Sequence, residues 1–198
     1  MPTLLITSFG PWGSHRENAS TLWWERAQWA APEGWTVVRR ILPVDWTAAP
    51  ERLFEAIEAH PDLAVVALCG LAESRQSITP ERFARNRASA ITPDIQGLQY
   101  AGERIRPDGP ATLEATLPFE ELVNGLRSNG IPSEESHDAG DYLCNYLSYR
   151  LLDHLQHHPG IRGGFIHVPP RDALTNEQWQ TAAEATLCTL TNPRPTLD

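Results

Sequence analysis

Thr47-Ala48-Ala49-Pro50-Glu51-Arg52-Leu53-Phe54-Glu55-Ala56-Ile57-Glu58-Ala59-His60, followed almost at once by Leu63-Ala64-Val65-Val66-Ala67-Leu68-Cys69, is the stretch that decides the fold. The first segment places Leu53, Phe54 and Ile57 at the spacing of one helix face. The second is an unbroken apolar run, short enough for a strand and too short for a buried helix. Working outward, Leu4–Thr7, Val37–Leu42 and Phe165–Val168 read as further buried strands. Ala19–Ala30, Pro118–Ser128, Asp141–His157 and Asn176–Leu190 read as helices, with Gly130 placed to stop the second of these. Strands alternating with helices predict an α/β fold, a single-domain α/β/α sandwich over residues 1–198 around a mainly parallel or mixed twisted sheet. Ligands of such sheets bind beyond the carboxyl ends of the strands. Phe9–Asn18, Gly70–Ser77 and His167–Pro170 all begin where a predicted strand ends, so they are expected to meet on one rim.

Residues 78–118 lack clear periodicity and carry Pro80, Pro93, Pro107, Pro110, Gly97, Gly102 and Gly109. A stretch of this kind is expected to form a functional loop or an assembly arm, at about 91–118. The tail, 192–198, is expected to fray.

Apolar residues make up 41% of the 198, which is enough for a conventional core without disulfide or metal support. Sixteen basic residues face 25 acidic ones, a net charge of −9. Phosphate binding needs clustered Lys and Arg, so this balance argues against nucleic acid as a partner. The N-terminal Met1–Gly10 has no basic leader and too few apolar residues for a signal peptide or a membrane span. Cys69, Cys144 and Cys188 are odd in number and far apart, which argues against a disulfide framework and makes the cytoplasm the expected compartment.

Read alone, Cys144 is a small buried hydrophobe. Its setting, Asp138-Ala139-Gly140-Asp141-Tyr142-Leu143-Cys144-Asn145, offers more. Gly140 permits a sharp turn, and Asp141 is a candidate N-cap that would put Cys144 third in the helix. There the helix dipole favours an anion and free backbone N–H groups are at hand for an oxyanion, so a depressed thiol pKa is expected. His167, at the end of a predicted strand and followed by Val168-Pro169-Pro170, is placed to act as the base of a thiol. Glu81, in Thr79-Pro80-Glu81-Arg82, reads alone as half of an exposed ion pair; beside a histidine it would fix the tautomer and support the imidazolium. His154, His157 and His158 read as a solvated helix face, and no metal-ligand spacing is present. Phe9-Gly10-Pro11-Trp12-Gly13 fits neither a dinucleotide fingerprint nor a phosphate-binding loop. It leaves an aromatic wall, Phe9 and Trp12, suited to a small, flat, neutral group.

Four of these segments, in order along the chain, resemble the pyroglutamyl-peptidase I (pyrrolidone-carboxylate peptidase) family of cysteine peptidases. Thr79-Pro80-Glu81-Arg82 with Asn86 resembles its glutamate motif, Ala139-Gly140-x-x-x-Cys144-Asn145 its cysteine motif and Gly164-Phe165-Ile166-His167-Val168-Pro169 its histidine motif. Phe9-Gly10-Pro11-Trp12-Gly13 with Asn18 resembles its N-terminal signature. The resemblance implies a Cys144–His167–Glu81 triad, substrate contacts from Phe9, Trp12, Asn18 and Leu71, and no cofactor or metal. It implies as substrate peptides with an N-terminal pyroglutamate, and assembly as a dimer or tetramer. The chain departs from the family pattern at Trp12, where a phenylalanine is usual, at Leu71, where a glutamine is usual, and at Ile91, where an arginine is usual. These changes gather around the substrate and leave the triad untouched. Two alternatives therefore stay open: the same thiol chemistry on another N-terminal acyl group, and a ligand-binding relative without turnover.

Overall fold

The computed structural model describes residues 1–13 and 16–192, so the tail expected to fray lies almost wholly outside the described residues. The order is β1 (Thr3–Phe9), α1 (Ala19–Arg26), β2 (Thr36–Leu42), α2 (Ala48–Glu58), β3 (Leu63–Leu71), β4 (Thr79–Glu81), β5 (Phe83–Arg85), β6 (Ala88–Ser89), β7 (Ala101–Glu103), β8 (Thr112–Glu114), α3 (Phe119–Ser128), α4 (Leu143–Leu155), β9 (Arg162–Val168) and α5 (Asn176–Thr191). The main sheet has the strand order β2-β1-β3-β9-β4. Its first four strands run parallel and β4 is antiparallel to β9. The expected mixed α/β sheet is thus present.

Alternation along the central strands sends side chains to two cores. Leu4, Ile6, Val65, Ala67 and Cys69 pack with Trp23 and Trp24 of α1, Leu122 of α3 and Trp179 of α5. Leu5, Val66, Leu68 and Phe165 pack with Leu53 and Ile57 of α2 and with Leu147 and Leu151 of α4. The helices therefore cover both faces, as a sheet buried on two sides requires.

Three local readings change. α1 stops at Arg26 rather than Ala30, because Ala27 is extended and Trp29 then turns edge-on against Trp24, 6.2 Å between ring centroids. Thr79-Pro80-Glu81 is a strand that periodicity alone did not reveal. Proline is tolerated there because β4 is the last strand of the sheet, and Ile78 and Glu81 bridge to Ser133 and Ser136, which cover that edge. The irregular stretch resolves into two small antiparallel pairs, β5 with β8 and β6 with β7. Side chains brace them. Asn86 Nδ2 donates to the carbonyls of Arg106 and Gly109, and its Oδ1 accepts from Arg106 N. Asn145, fully buried, accepts from Arg85 N and donates to the carbonyls of Arg85 and Arg87.

No helix among the described residues is long and apolar enough to cross a membrane.

Candidate active site

The site is built on the carboxyl rim of the sheet. Gly70 of β3 stands beside His167 of β9 in parallel register, and Thr79 of β4 stands on the other side of His167. Two residues further along β4, Glu81 is fully buried. Its Oε1 lies 2.7 Å from Nδ1 of His167. Glu81 accepts this bond as a carboxylate, so Nδ1 carries the proton and Nε2 is left with a lone pair. The exposed ion pair that Glu81 suggests when read alone is instead a buried carboxylate, held by His167 and by Arg75.

Cys144 reaches the same rim from α4. The turn at Gly140 has φ +75°, a conformation that glycine adopts without strain. The helix itself begins at Leu143. Tyr142 is the extended residue before it and gives no side-chain cap, so Cys144 is second in the helix rather than third. Asp141 does not cap because its carboxylate is drawn to Arg85 and Arg87, at 3.1 and 3.2 Å. The N–H groups of this first turn still lack intrahelical acceptors. Sγ of Cys144 packs against Gly70, where a Cβ would stand 3.1 Å from the sulfur and 2.7 Å from Cζ of Phe165. Only a residue without a side chain lets the thiol sit this close to the strand neighbour of His167.

The charges set the resting state. Burial pushes the Cys144 thiol up to about 12, and the Glu81 charge adds to this; Arg75 and the Cys144 backbone N–H pull the other way. The depressed thiol pKa expected from the helix start is thus overruled by burial. Burial also lowers the pKa of His167, against the hydrogen bond and charge of Glu81. Glu81 is opposed by burial too, yet His167, Ser136 and Arg75 together hold its pKa below the ordinary carboxylate value. The resting site is a neutral thiol, a neutral imidazole and a carboxylate. Buried Cys69 is likewise pushed up to about 12, by burial against the Trp24 hydrogen bond, so position and not acidity distinguishes Cys144.

This arrangement makes stability depend on pH with a definite sign. As pH falls below about 6.5, the ordinary His value, the unfolded chain takes up a proton that buried His167 refuses, and stability falls. Glu81 adds a second loss below about 4.5, where the unfolded carboxylate protonates first. Urea titrations at pH 7.5 and 5.5 are expected to give the lower midpoint at 5.5. His167→Gln is expected to narrow the gap without closing it, because burial also lowers the pKa of His154.

A cavity of about 180 Å³ opens beside the thiol, lined by Phe9, Trp12, Asn18, Val44, Leu71, Glu73, Tyr142, Leu143 and Cys144. All four residues expected at the substrate therefore share one wall with the candidate nucleophile. A larger cleft of about 360 Å³, beside Trp29, Trp35 and Leu187, shares no residue with it. Asn18 caps α1, its Oδ1 accepting from Ser20 N and Ser20 Oγ, so only its amide nitrogen is free of that duty. Trp12 lines the cavity and also bonds beyond it. Its indole N–H donates to the carbonyl of Pro93 at 3.2 Å, an acceptor shared with the Tyr142 hydroxyl at 3.4 Å. The next residue, Asp94, is buried and receives N–H groups from Trp46, Gln96 and Leu98. Ile91, by contrast, is 95% exposed and lines no part of the cavity. Sequence reasoning gave no role to Arg75, Tyr142 or Asn145. Arg75 had a signal, being a cation in a loop that starts where β3 ends.

A thiol and a histidine–carboxylate pair on one rim, beside a small apolar cavity, define the class as cysteine peptidase, and comparison with known proteins agrees. A profile of the pyroglutamyl peptidases matches residues 2–188. The pyrrolidone-carboxylate peptidase of Bacillus velezensis is 39% identical over 168 residues, 84% of this chain and 77% of the relative. That of Chromobacterium violaceum is 39% identical over 180 residues, 88% of this chain and 81% of the relative. Among solved structures, pyroglutamyl peptidase I of Bacillus amyloliquefaciens superposes with a TM-score of 0.89 at 34% identity, covering 96% of this chain and 97% of its own. Pyrrolidone carboxyl peptidase of Thermococcus litoralis gives 0.88 at 31% identity, covering 96% and 93%. The chain belongs to the pyroglutamyl peptidase family.

Proposed function

We propose that this enzyme removes an N-terminal pyroglutamyl residue from peptides, with Cys144 as nucleophile, His167 as general base and acid, and Glu81 as the group that orients His167. The observation that carries the reading is that Cys144 lines the same cavity as Phe9, Trp12, Asn18 and Leu71. The cavity suits a compact, neutral lactam held between aromatic faces.

Nε2 of His167 takes the proton from Cys144 as Sγ attacks the carbonyl that joins the lactam residue to the next amino acid. Glu81 stabilises the imidazolium that forms. Free N–H groups at the start of α4 stabilise the oxyanion, each donor being worth about 3–4 kcal/mol in comparable sites. The C–N bond then breaks, His167 returns the proton to the leaving amine, and a thioester to Cys144 remains. Water, deprotonated by His167, attacks the thioester, releasing pyroglutamate and the thiol. The chain acts in the cytoplasm, as its unpaired cysteines suggest, and assembles as an oligomer.

The test is hydrolysis of matched chromogenic anilides. Pyroglutamyl anilide is expected to exceed prolyl anilide, which lacks the lactam carbonyl, by at least about 100-fold in kcat/KM. Faster turnover of another N-terminal acyl group would replace the substrate and keep the thiol chemistry.

A further inference from the structure

We infer that Arg75 is a positioning residue of this site, a fork that locks Glu81 to the segment leading into the nucleophile helix. The inference deepens the reading of Cys144, His167 and Glu81 as the reacting set, and rests on it.

Arg75 lies just past β3, in a turn closed by its own N–H to the Ala72 carbonyl at 3.1 Å. Its side chain is only 22% exposed. One guanidinium nitrogen, Nη1, donates to Glu81 Oε1 and to Thr79 Oγ1, both on β4. The other, Nη2, donates to Ser136 Oγ at 3.2 Å and to the Asp138 carbonyl at 2.8 Å. The segment of Ser136 is itself stitched to β4: Ser136 N donates to the Pro80 carbonyl, and Arg82 N to the Ser136 carbonyl. Six residues beyond Asp138 stands Cys144. One cation thus spans the carboxylate that aims His167 and the lead-in to the thiol.

Two consequences separate this role from plain scaffolding. The first is geometric. Four acceptors on two nitrogens require a planar fork; a lysine ammonium can neutralise Glu81 but cannot also hold Asp138. The second is electrostatic. Among the described residues, Arg75 is the cation that acts on all three members of the set, helping His167 and Ser136 to keep Glu81 ionised and drawing the pKa values of Cys144 and His167 downward. Removing a positive charge raises every pKa around it. Whichever of the two groups governs each limb of the pH profile, both limbs then move to higher pH.

The experiment uses the full chain, wild type, Arg75→Gln and Arg75→Lys, with kcat and KM for pyroglutamyl anilide across pH. Iodoacetamide alkylation of Cys144 across pH gives a readout that needs no substrate. Arg75→Gln is expected to lower kcat by about 10–100-fold, with KM within about threefold. Its pH profile and its alkylation midpoint move up by about 0.5–1 pH unit. Arg75→Lys keeps the wild-type midpoint but recovers kcat only in part. An unmoved alkylation midpoint in Arg75→Gln overturns the inference, whatever the loss of activity, because scaffolding alone would cost folded protein and not shift a titration. Should Arg75→Gln not fold, Arg75→Lys decides: full wild-type kcat overturns the fork. A midpoint that shifts in an enzyme that ignores pyroglutamyl anilide leaves Arg75 in place and removes the substrate reading instead.

Discussion

Cys144→Ala is expected to abolish turnover, lowering kcat for pyroglutamyl anilide by at least about 10⁴-fold. The loss follows from the resting state of the site. In the proposed mechanism the neutral, half-buried thiol gives its proton to His167 as its lone pair reaches the substrate carbonyl, so both are lost with the sulfur. Without sulfur, His167 would have to activate a water in a space shaped for Sγ against Gly70. Binding should survive, since Phe9, Trp12, Asn18 and Leu71 form the remaining wall. Calorimetric titration with pyroglutamate is therefore expected to give a Kd within about threefold of wild type. Retention of more than about 1% of wild-type kcat, in protein made free of wild-type carry-over, would sink the nucleophile assignment.

The second large effect is expected for Glu81→Gln, a loss of about 10³–10⁴-fold in kcat. The amide matches the carboxylate in shape but carries no charge. It can also turn its NH₂ toward Nδ1 of His167, forcing the proton onto Nε2, the atom that must accept the thiol proton. The partly exposed Arg75 guanidinium is then left without its buried counter-charge, at a cost of roughly 2–3 kcal/mol, below that of a fully buried pair because solvent reaches it. Steady-state kinetics and urea titration measure the two losses separately. The sign of the pH shift is a further check. Removing the negative Glu81 lowers the pKa values of His167 and Cys144, moving the activity profile to lower pH, opposite to the shift expected for Arg75→Gln. A profile that stays in place would sink the role given to Glu81.

Much of this was legible in the residues. β1, β3 and β9 are apolar runs that are buried as read. β2 forms where expected but is not the buried strand its apolar residues suggest, because it is an edge strand paired only with β1 and leaves Thr36, Arg39, Arg40 and Ile41 exposed. α2 and α3 show the clean face of amphipathic helices. What stayed hidden were features set by contacts between distant segments. β4 is three residues long, contains Pro80 and becomes a strand only because β9 lies beside it. The strands of the irregular stretch are two or three residues each, too short to show a period. At the site, the ordered motifs pointed to Cys144, His167 and Glu81 as candidates, which the fold gathers on one rim, but not to their ionisation. The helix start argued for an acidic thiol, and the burial that reverses this comes from packing that no local spacing encodes. The same holds for Trp12, whose bond to Pro93 joins residues 81 apart in sequence.

Asn145 is the residue next to the candidate nucleophile, and its side chain is spent wholly on the main chain of Arg85 and Arg87. The strands it grips are the root of the long excursion between β5 and β8. Local opening of that excursion cannot stay local: once the backbone at 85–87 lets go, a buried amide one peptide bond from the thiol loses all its partners at the same moment. The excursion and the candidate nucleophile are thus expected to open as one cooperative unit. Amide exchange at residues 85–87 and alkylation of the Cys144 thiol are therefore expected to respond together to any substitution that loosens the Asn145 bonds.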